Sequence, residues 1–200
     1  MISALVRLLA SQPWIYALSH RIARTHRLDP VLAAQTNGVS SGSRILDVGG
    51  GAGSAQDLWP PDCVYVCLDI DEAMVRAFRP RRSRSVAVLA DATSMPISDN
   101  SVDQVLCKFV CHHIPDESLG HLFQEARRVL KDSGRLLVIE PIWRSDSRIS
   151  RLLWRYDRGS HPRTPESLSS SVSEHFVIHH AQRLKTWHTF AFYMATPKPA

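Results

Sequence analysis

Asp47 stands last but one in the short apolar run "RILDV", and "GGGAGS" follows that run at once, with four glycines between residues 49 and 53. Chains place glycine where a ligand or another segment must come close to the backbone. Gly49, Gly51 and Gly53 supply G-x-G-x-G between a strand and the start of a helix, where backbone N–H groups can bind a ligand. The dinucleotide fingerprint requires glycine at position 54, where Ser54 stands. A phosphate loop requires Lys-Ser/Thr after its second glycine, and the chain has none there. A carboxylate at position 47 would repel a pyrophosphate and attract an ammonium or a sulfonium. Asp69 ends the next apolar run, twenty residues after Gly49. That position suits a carboxylate accepting both hydroxyls of a ribose. The alternative for Asp69 is a helix N-cap ahead of "DEAMVRAF", a role for which Asp71 is better placed.

The four cysteines form two C-x3-C pairs, Cys63/Cys67 and Cys107/Cys111, with His112 and His113 directly after the second. Zinc needs all its ligands at about 2.0–2.3 Å from one centre. "DCVYVCLDI" reads as a buried strand, and four residues of strand separate Cys63 from Cys67 by ~13 Å. No metal is therefore expected, and the cysteines read as small buried hydrophobes. The 200 residues carry a net charge of +5, and only Lys108, Lys131, Lys185 and Lys198 are lysines. A polyanionic partner must be considered on that charge. The only dense basic run is "RPRRSRS", residues 79–85.

The positioning elements follow from the pattern of apolar residues. Helical patterning covers residues 2 to 34, with Ile2, Leu5, Val6, Leu8 and Leu9 mainly on one face. The opening has no basic start and Arg7 interrupts its apolar part, so an amphipathic helix fits better than a secretory signal. No run approaches the ~20 apolar residues of a membrane span, and the cytoplasm is the expected compartment. After the connector "TNGVSSGS", β-rich runs appear at "RILDV", "CVYVCLDI", "SVAVLA", "VDQVLCKF" and "GRLLVIEP". The stretch "DESLGHLFQEARRVLKDSG" between the last two is helical, with Leu119, Leu122, Phe123, Ala126, Val129 and Leu130 along one stripe and a glycine stop. Continuous apolar strands alternating with helices imply a parallel sheet covered on both faces. The tail "HFVIHHAQRLKTWHTFAFYMATPKP" reads as two extended segments with a short connection, which adds one antiparallel strand.

"LADATSMPISDNSVDQVLCKFVCHHIPDE", taken with "RILDVGGGAGS", "CLDIDEAM" and "RVLKDSGRLLVIEP", resembles the class I S-adenosylmethionine-dependent methyltransferases, above all their small single-domain UbiE-like group. The resemblance covers residues 40 to 142, and the terminal hairpin agrees with that family's last two strands. It implies an α/β, Rossmann-like three-layer sandwich with a seven-stranded, mostly parallel sheet whose last strand is antiparallel and inserted beside the fifth. It also implies S-adenosyl-L-methionine as cofactor and S-adenosyl-L-homocysteine as product. By the same resemblance, Asp47, Gly49 and Gly51 would line the methionyl part, Asp69 the ribose, and Ile70, Asp91 and Ala92 the adenine. Lys108 and Phe109 would border the methyl group, although the family's usual residue at 108 is small or polar. The short stretch from Gly53 to Asp69 implies a first helix of two turns.

Methyl transfer is a one-step in-line displacement, and a general base is needed only when the acceptor is protonated. His112 is the candidate base, with His113, nearer the following helix, in a structural role. Trp14, Tyr16 and His20 are candidate pocket residues, and "RYDRGSHPRTPESL" a candidate lid. The chain lacks a [D/N]-P-P-[Y/F] motif after the fourth strand and the Pro-Cys nucleophile of cytosine-C5 enzymes. The expected acceptor is accordingly a small or lipid-like molecule. The alternatives are a nucleic-acid-modifying methyltransferase using the arginine surface, a non-catalytic cofactor-binding partner subunit, and an NAD-dependent oxidoreductase. Residues 1–200 are expected to form a single domain: helical cover 1–40, cofactor-binding core 41–142, and substrate-side helices with the hairpin in 143–200.

Overall fold

A computed structural model describes residues 28–36, 39–144, 154, 161–185 and 189–199. Four helices and seven strands are defined among them. They follow in the order α1 (Asp29–Thr36), β1 (Arg44–Val48), β2 (Val64–Asp69), α2 (Glu72–Ala77), β3 (Ser85–Leu89), β4 (Val102–Lys108), α3 (Asp116–Val129), β5 (Leu130–Pro141), α4 (Pro165–His175), β6 (Phe176–Lys185) and β7 (Thr189–Pro197). The expectations for residues 2–27, including Trp14, Tyr16 and His20, lie outside the described residues.

The strands form one sheet in the order β3-β2-β1-β4-β5-β7-β6. β1 through β5 pair in parallel. β7 is antiparallel to both β5 and β6, between which it lies. This is the expected seven-stranded sheet with its last strand inserted beside the fifth. Strand order reverses between β1 and β4, and open α/β sheets bind ligands at the carboxyl ends of their strands at such a point.

Alternation along the strands builds two cores, one on each face. Leu46, Val105, Leu136 and Val138 join Leu122 and Phe123 of α3 and Leu168 and Val172 of α4. Ile45, Leu106, Leu137 and Ile139 join Leu32 of α1 with Trp59 and Phe192. Successive strand side chains point to opposite faces, so both residue sets are buried only if helices cover both. Every residue of the expected α3 stripe is buried.

Two local expectations are corrected. Between Gly53 and Asp69 there is no two-turn helix but a single 3-10 turn, Gln56–Leu58. Pro60 and Pro61 follow it after Trp59, and proline cannot continue a helix. α3 stops at Val129 rather than at Gly134, because Leu130 already pairs with Val102 and the ladder resumes, after an irregularity, at Gln104 and Arg135.

Candidate active site

The glycine bend leaves β1 and turns under β2. Gly49 has φ +65°, and its N–H donates to the Leu68 carbonyl at 2.7 Å. A Cβ on Gly49 would lie 2.5 Å from Cγ2 of Val110, so the residue is demanded by both backbone conformation and space. Gly50 lies on Asp47 and Cys67: its Cβ would stand 2.6 Å from the Asp47 carboxylate and 2.7 Å from Sγ of Cys67. The bend is therefore compact against its own protein beneath, and its ligand-facing side is backbone.

A cavity of about 440 Å³ opens over that backbone, at the carboxyl ends of β1, β2 and β4. Gly49, Gly51, Asp69, Asp71 and Ile70 line one side. Asp91, Ala92 and Thr93 form its second side, and Phe109, Val110 and His113 a third. Three carboxylates line it, and among the described residues no lysine or arginine does. Such a wall suits a cationic ligand and opposes a polyphosphate.

Asp69 accepts from the Gly51 N–H and the Asp71 N–H, both at 2.8 Å, one on each carboxylate oxygen. A carboxylate has about four acceptor positions, so two remain for ribose hydroxyls. The expected cap belongs to Asp71, whose side chain accepts from the Ala73 N–H at 2.9 Å and starts α2. Asp91 accepts from the N–H and the hydroxyl of Thr93, both at 2.8 Å and both on one oxygen, leaving its second oxygen to the cavity. Ile70 is 70% exposed, an apolar surface that a flat ring can cover. Phe109 is buried with φ +61°, an uncommon conformation for a bulky residue, at the point where β4 gives way to the next turn.

Two sequence-predicted contacts are not on the cavity wall. Asp47 is 1% exposed beneath the bend and accepts a short hydrogen bond from the Tyr65 hydroxyl. Burial pushes its pKa up to about 6 against the lowering effect of Tyr65 and Lys108. Asp47 thus supports the bend on which a ligand would rest. Lys108 also turns away: its ammonium pairs with Asp29 of α1 at 3.4 Å and lies 5.5 Å over the Phe109 ring.

The histidine pair is the main correction. His112, the expected base, is buried and absent from the wall, with its Nδ1 2.6 Å from Oε2 of Glu140. Glu140 Oε1 accepts the N–H groups of Val110 and Cys111 at 2.6 and 2.7 Å, so one carboxyl holds the whole turn after β4. His113, expected to be structural, is exposed and lines the cavity, its ring 4.1 Å from that of His112. The residue nearer the helix faces the cavity because Cys111–His113 forms a 3-10 turn, which sends adjacent side chains to different sides.

Glu140 was missed from the sequence, although a lone carboxylate inside "LLVIEP" was the available signal. Arg163 was missed too. It is 7% exposed and donates to the Cys111 and Ile114 carbonyls, each at 2.6 Å, while pairing with Asp116. It ties the segment before α4 to the cavity loop. Residues 155–160 of the expected lid lie outside the described residues, and its final part, from Pro165, is the start of α4 rather than a loop. β2 runs between Cys63 and Cys67, as the spacing required, and all four cysteines are buried thiols.

Residues 46–138 match the family described as methyltransferase domain. The chain is 37% identical over 127 residues to the ubiquinone/menaquinone biosynthesis C-methyltransferase UbiE of Pseudomonas entomophila, covering 58% of this chain and 48% of that protein. It spans about half the length of the curated relatives it matches. Among solved structures, the PH0226 protein from Pyrococcus horikoshii has the same fold, with TM-score 0.70, 20% identity, and 89% and 91% of the two chains covered. So does a geranyl diphosphate C-methyltransferase from Streptomyces coelicolor, crystallised with Mg2+, geranyl diphosphate and S-adenosyl-L-homocysteine (TM-score 0.69, 15% identity, 88% and 83% covered).

Proposed function

We propose that this chain, whose residues 46–138 match the methyltransferase domain family, transfers the methyl group of S-adenosyl-L-methionine to a small-molecule acceptor. The observation that carries the reading is the wall of the 440 Å³ cavity: glycine backbone, an exposed Ile70, and the carboxylates of Asp69, Asp71 and Asp91, without a lysine or arginine among the described residues. The cofactor supplies a methyl group already activated on a sulfonium.

The residues present fit that group. Asp69 has acceptor positions left for a ribose, Ile70 offers a face for adenine, and Asp91 has a free oxygen for an exocyclic amine. Asp47 and Tyr65 hold the bend from below, and Glu140 with His112 holds the opposite rim. What the protein contributes to the step is alignment and exclusion of water around Phe109 and Val110, since positioning supplies much of the acceleration of such a displacement. His113 is the side chain on this wall able to take a proton from an acceptor that arrives protonated.

Calorimetry tests the cofactor reading. S-adenosyl-L-homocysteine should bind with one-to-one stoichiometry and NAD should give no saturable heat. The reverse result would overturn it. Methyl incorporation from labelled S-adenosyl-L-methionine into a metabolite panel then separates an enzyme from a non-catalytic cofactor-binding subunit.

A further inference from the structure

We propose that β3 is a self-association edge, at which two copies of this chain pair their β3 strands antiparallel about a two-fold axis at Ala87 and continue one sheet across the dimer. The proposal stands independently of the methyltransferase reading above.

β3 is the terminal strand of the sheet and pairs with β2 alone. The Tyr65 N–H donates to the Arg84 carbonyl at 2.9 Å, and the Ala90 N–H to the Asp69 carbonyl at 3.0 Å. Even-numbered residues of this stretch therefore turn their backbone groups to β2, and those of Ala87 and Leu89 point off the sheet. Such a row is a template for a further strand, which proteins guard with charge, proline or a bulge. The opposite edge strand, β6, is guarded. It carries His179, His180, Gln182, Arg183 and Lys185, and its register shifts between Ile178 and His180. β3 has no such guard: "SVAVL" contains neither charge nor proline and keeps an unbroken register with β2. Val86 is 51% exposed and Leu89 52%, so an apolar side chain stands uncovered on each face of this edge.

The flanking charges select a second copy as the occupant. Arg84, immediately before β3, is exposed and forms no ion pair or side-chain hydrogen bond among the described residues. Asp91, just beyond the strand, is exposed and belongs to the carboxylate wall of the cofactor cavity. β3 thus has a cationic start and an anionic end. Antiparallel pairing sets start against end in both copies, whereas parallel pairing would set like charges side by side. Symmetry then fixes the register, because a two-fold axis sets one residue opposite its own copy. Ala87 is the central residue of β3 and its backbone groups face outward, so it exchanges both bonds with the partner's Ala87. Each Leu89 N–H meets the partner's Ser85 carbonyl. Val86 lies opposite the partner's Val88, a close pair of β-branched side chains. Arg84 comes opposite the partner's Ala90, one residue from the partner's Asp91.

Sedimentation equilibrium of the full chain tests this. Wild type should pass from monomer to dimer between ~1 and ~200 µM. Val86→Lys puts a charge on the edge and should raise the dissociation constant at least ~10-fold. Ala87→Pro removes an N–H that β2 does not use, a change edge strands tolerate, and should abolish the dimer. Arg84→Asp should weaken it at least ~3-fold at low salt. Val177→Lys, on the exposed part of β6, should leave it unchanged. Circular dichroism establishes that each variant is folded, and Val86→Lys decides the matter if Ala87→Pro is not. In hydrogen exchange, the Ala87 and Leu89 amides of wild type should be slower at the high concentration than at the low one. A wild type that stays monomeric throughout overturns the proposal and leaves the edge to a different protein. A dimer equally strong in Val86→Lys and Ala87→Pro, or without added protection at β3, overturns this edge as the interface. Association unchanged in Arg84→Asp overturns the antiparallel arrangement.

Discussion

Asp69 serves two purposes at once, since the carboxylate proposed to hold a ribose also anchors the Gly51 N–H. Asp69→Ala should weaken S-adenosyl-L-homocysteine binding by roughly 1–3 kcal/mol in calorimetry while the protein still folds. Unchanged affinity would leave Asp69 as a brace for the bend. The histidines divide differently from what their order suggested. His112→Ala removes one of the three hydrogen-bond partners of Glu140, a carboxyl 2% exposed, and should cost roughly 1–3 kcal/mol in denaturant unfolding. His113→Ala should lower turnover by roughly 10²-fold on an acceptor protonated at working pH. Equal turnover in wild type and His113→Ala across pH would remove the base and leave positioning alone. Asp47 gives a pH signature with a definite sign. Its folded pKa, about 6, lies above the ordinary value of 3.8, so the folded state binds more protons between those values. Stability contributed by this group is full below pH ~4 and falls as pH rises through ~6, by roughly 3 kcal/mol in all. Asp47→Asn keeps an acceptor for Tyr65 and should flatten that fall, which unfolding of both proteins at pH 4 and pH 8 measures. The cavity-lining carboxylate Asp69 was legible in the sequence as a position because an apolar run ends on it. Which histidine faces the cavity was not, because a single turn of 3-10 helix decides it.

The elements show the same division. The strands were legible because each is a continuous apolar run, and the insertion of β7 followed from two extended segments with no helix between them. The end of α3 was not: Leu130 satisfies the helical stripe and is also fully buried as the first residue of β5, so periodicity serves both. Neither was the tie between α4 and the cavity loop, because Arg163 lies 52 residues from Cys111, whose carbonyl it holds. That long-range tie has a measurable consequence. Arg163→Ala should leave the Cys111 and Ile114 carbonyls without their donor and cost roughly 3 kcal/mol in thermal or denaturant unfolding. Arg163→Lys should recover only part, since one ammonium cannot reproduce the fork that reaches two carbonyls and Asp116. Full recovery by lysine would show that charge, not geometry, fastens the segment.

At the scale of the whole molecule, the net charge of +5 invites a nucleic-acid partner, but among the described residues several arginines are engaged within the protein. In the dense run, Arg79 donates to the Arg76 and Phe78 carbonyls, Arg82 to those of Trp59 and Pro60, and Arg81 pairs with Asp57. Arg128 holds the Met95 and Ile97 carbonyls against α3, and Arg163 the loop beside the cavity. An arginine so engaged must break internal hydrogen bonds before it can meet a phosphate. The run also follows α2 and precedes β3, at the opposite end of the sheet from the cofactor cavity. Among the described residues, Arg144, Arg183 and Lys185 line a cavity of about 450 Å³, a volume too small for a polymer track. Binding to a polynucleotide should therefore be weak and shallow in its salt dependence. Between 50 and 200 mM salt, log K against log[salt] for single-stranded RNA should have a slope no steeper than about −2, equivalent to some two or three phosphate contacts. A slope of about −5 or steeper would show that the arginine surface is available after all, and would move the acceptor from small molecules to nucleic acid.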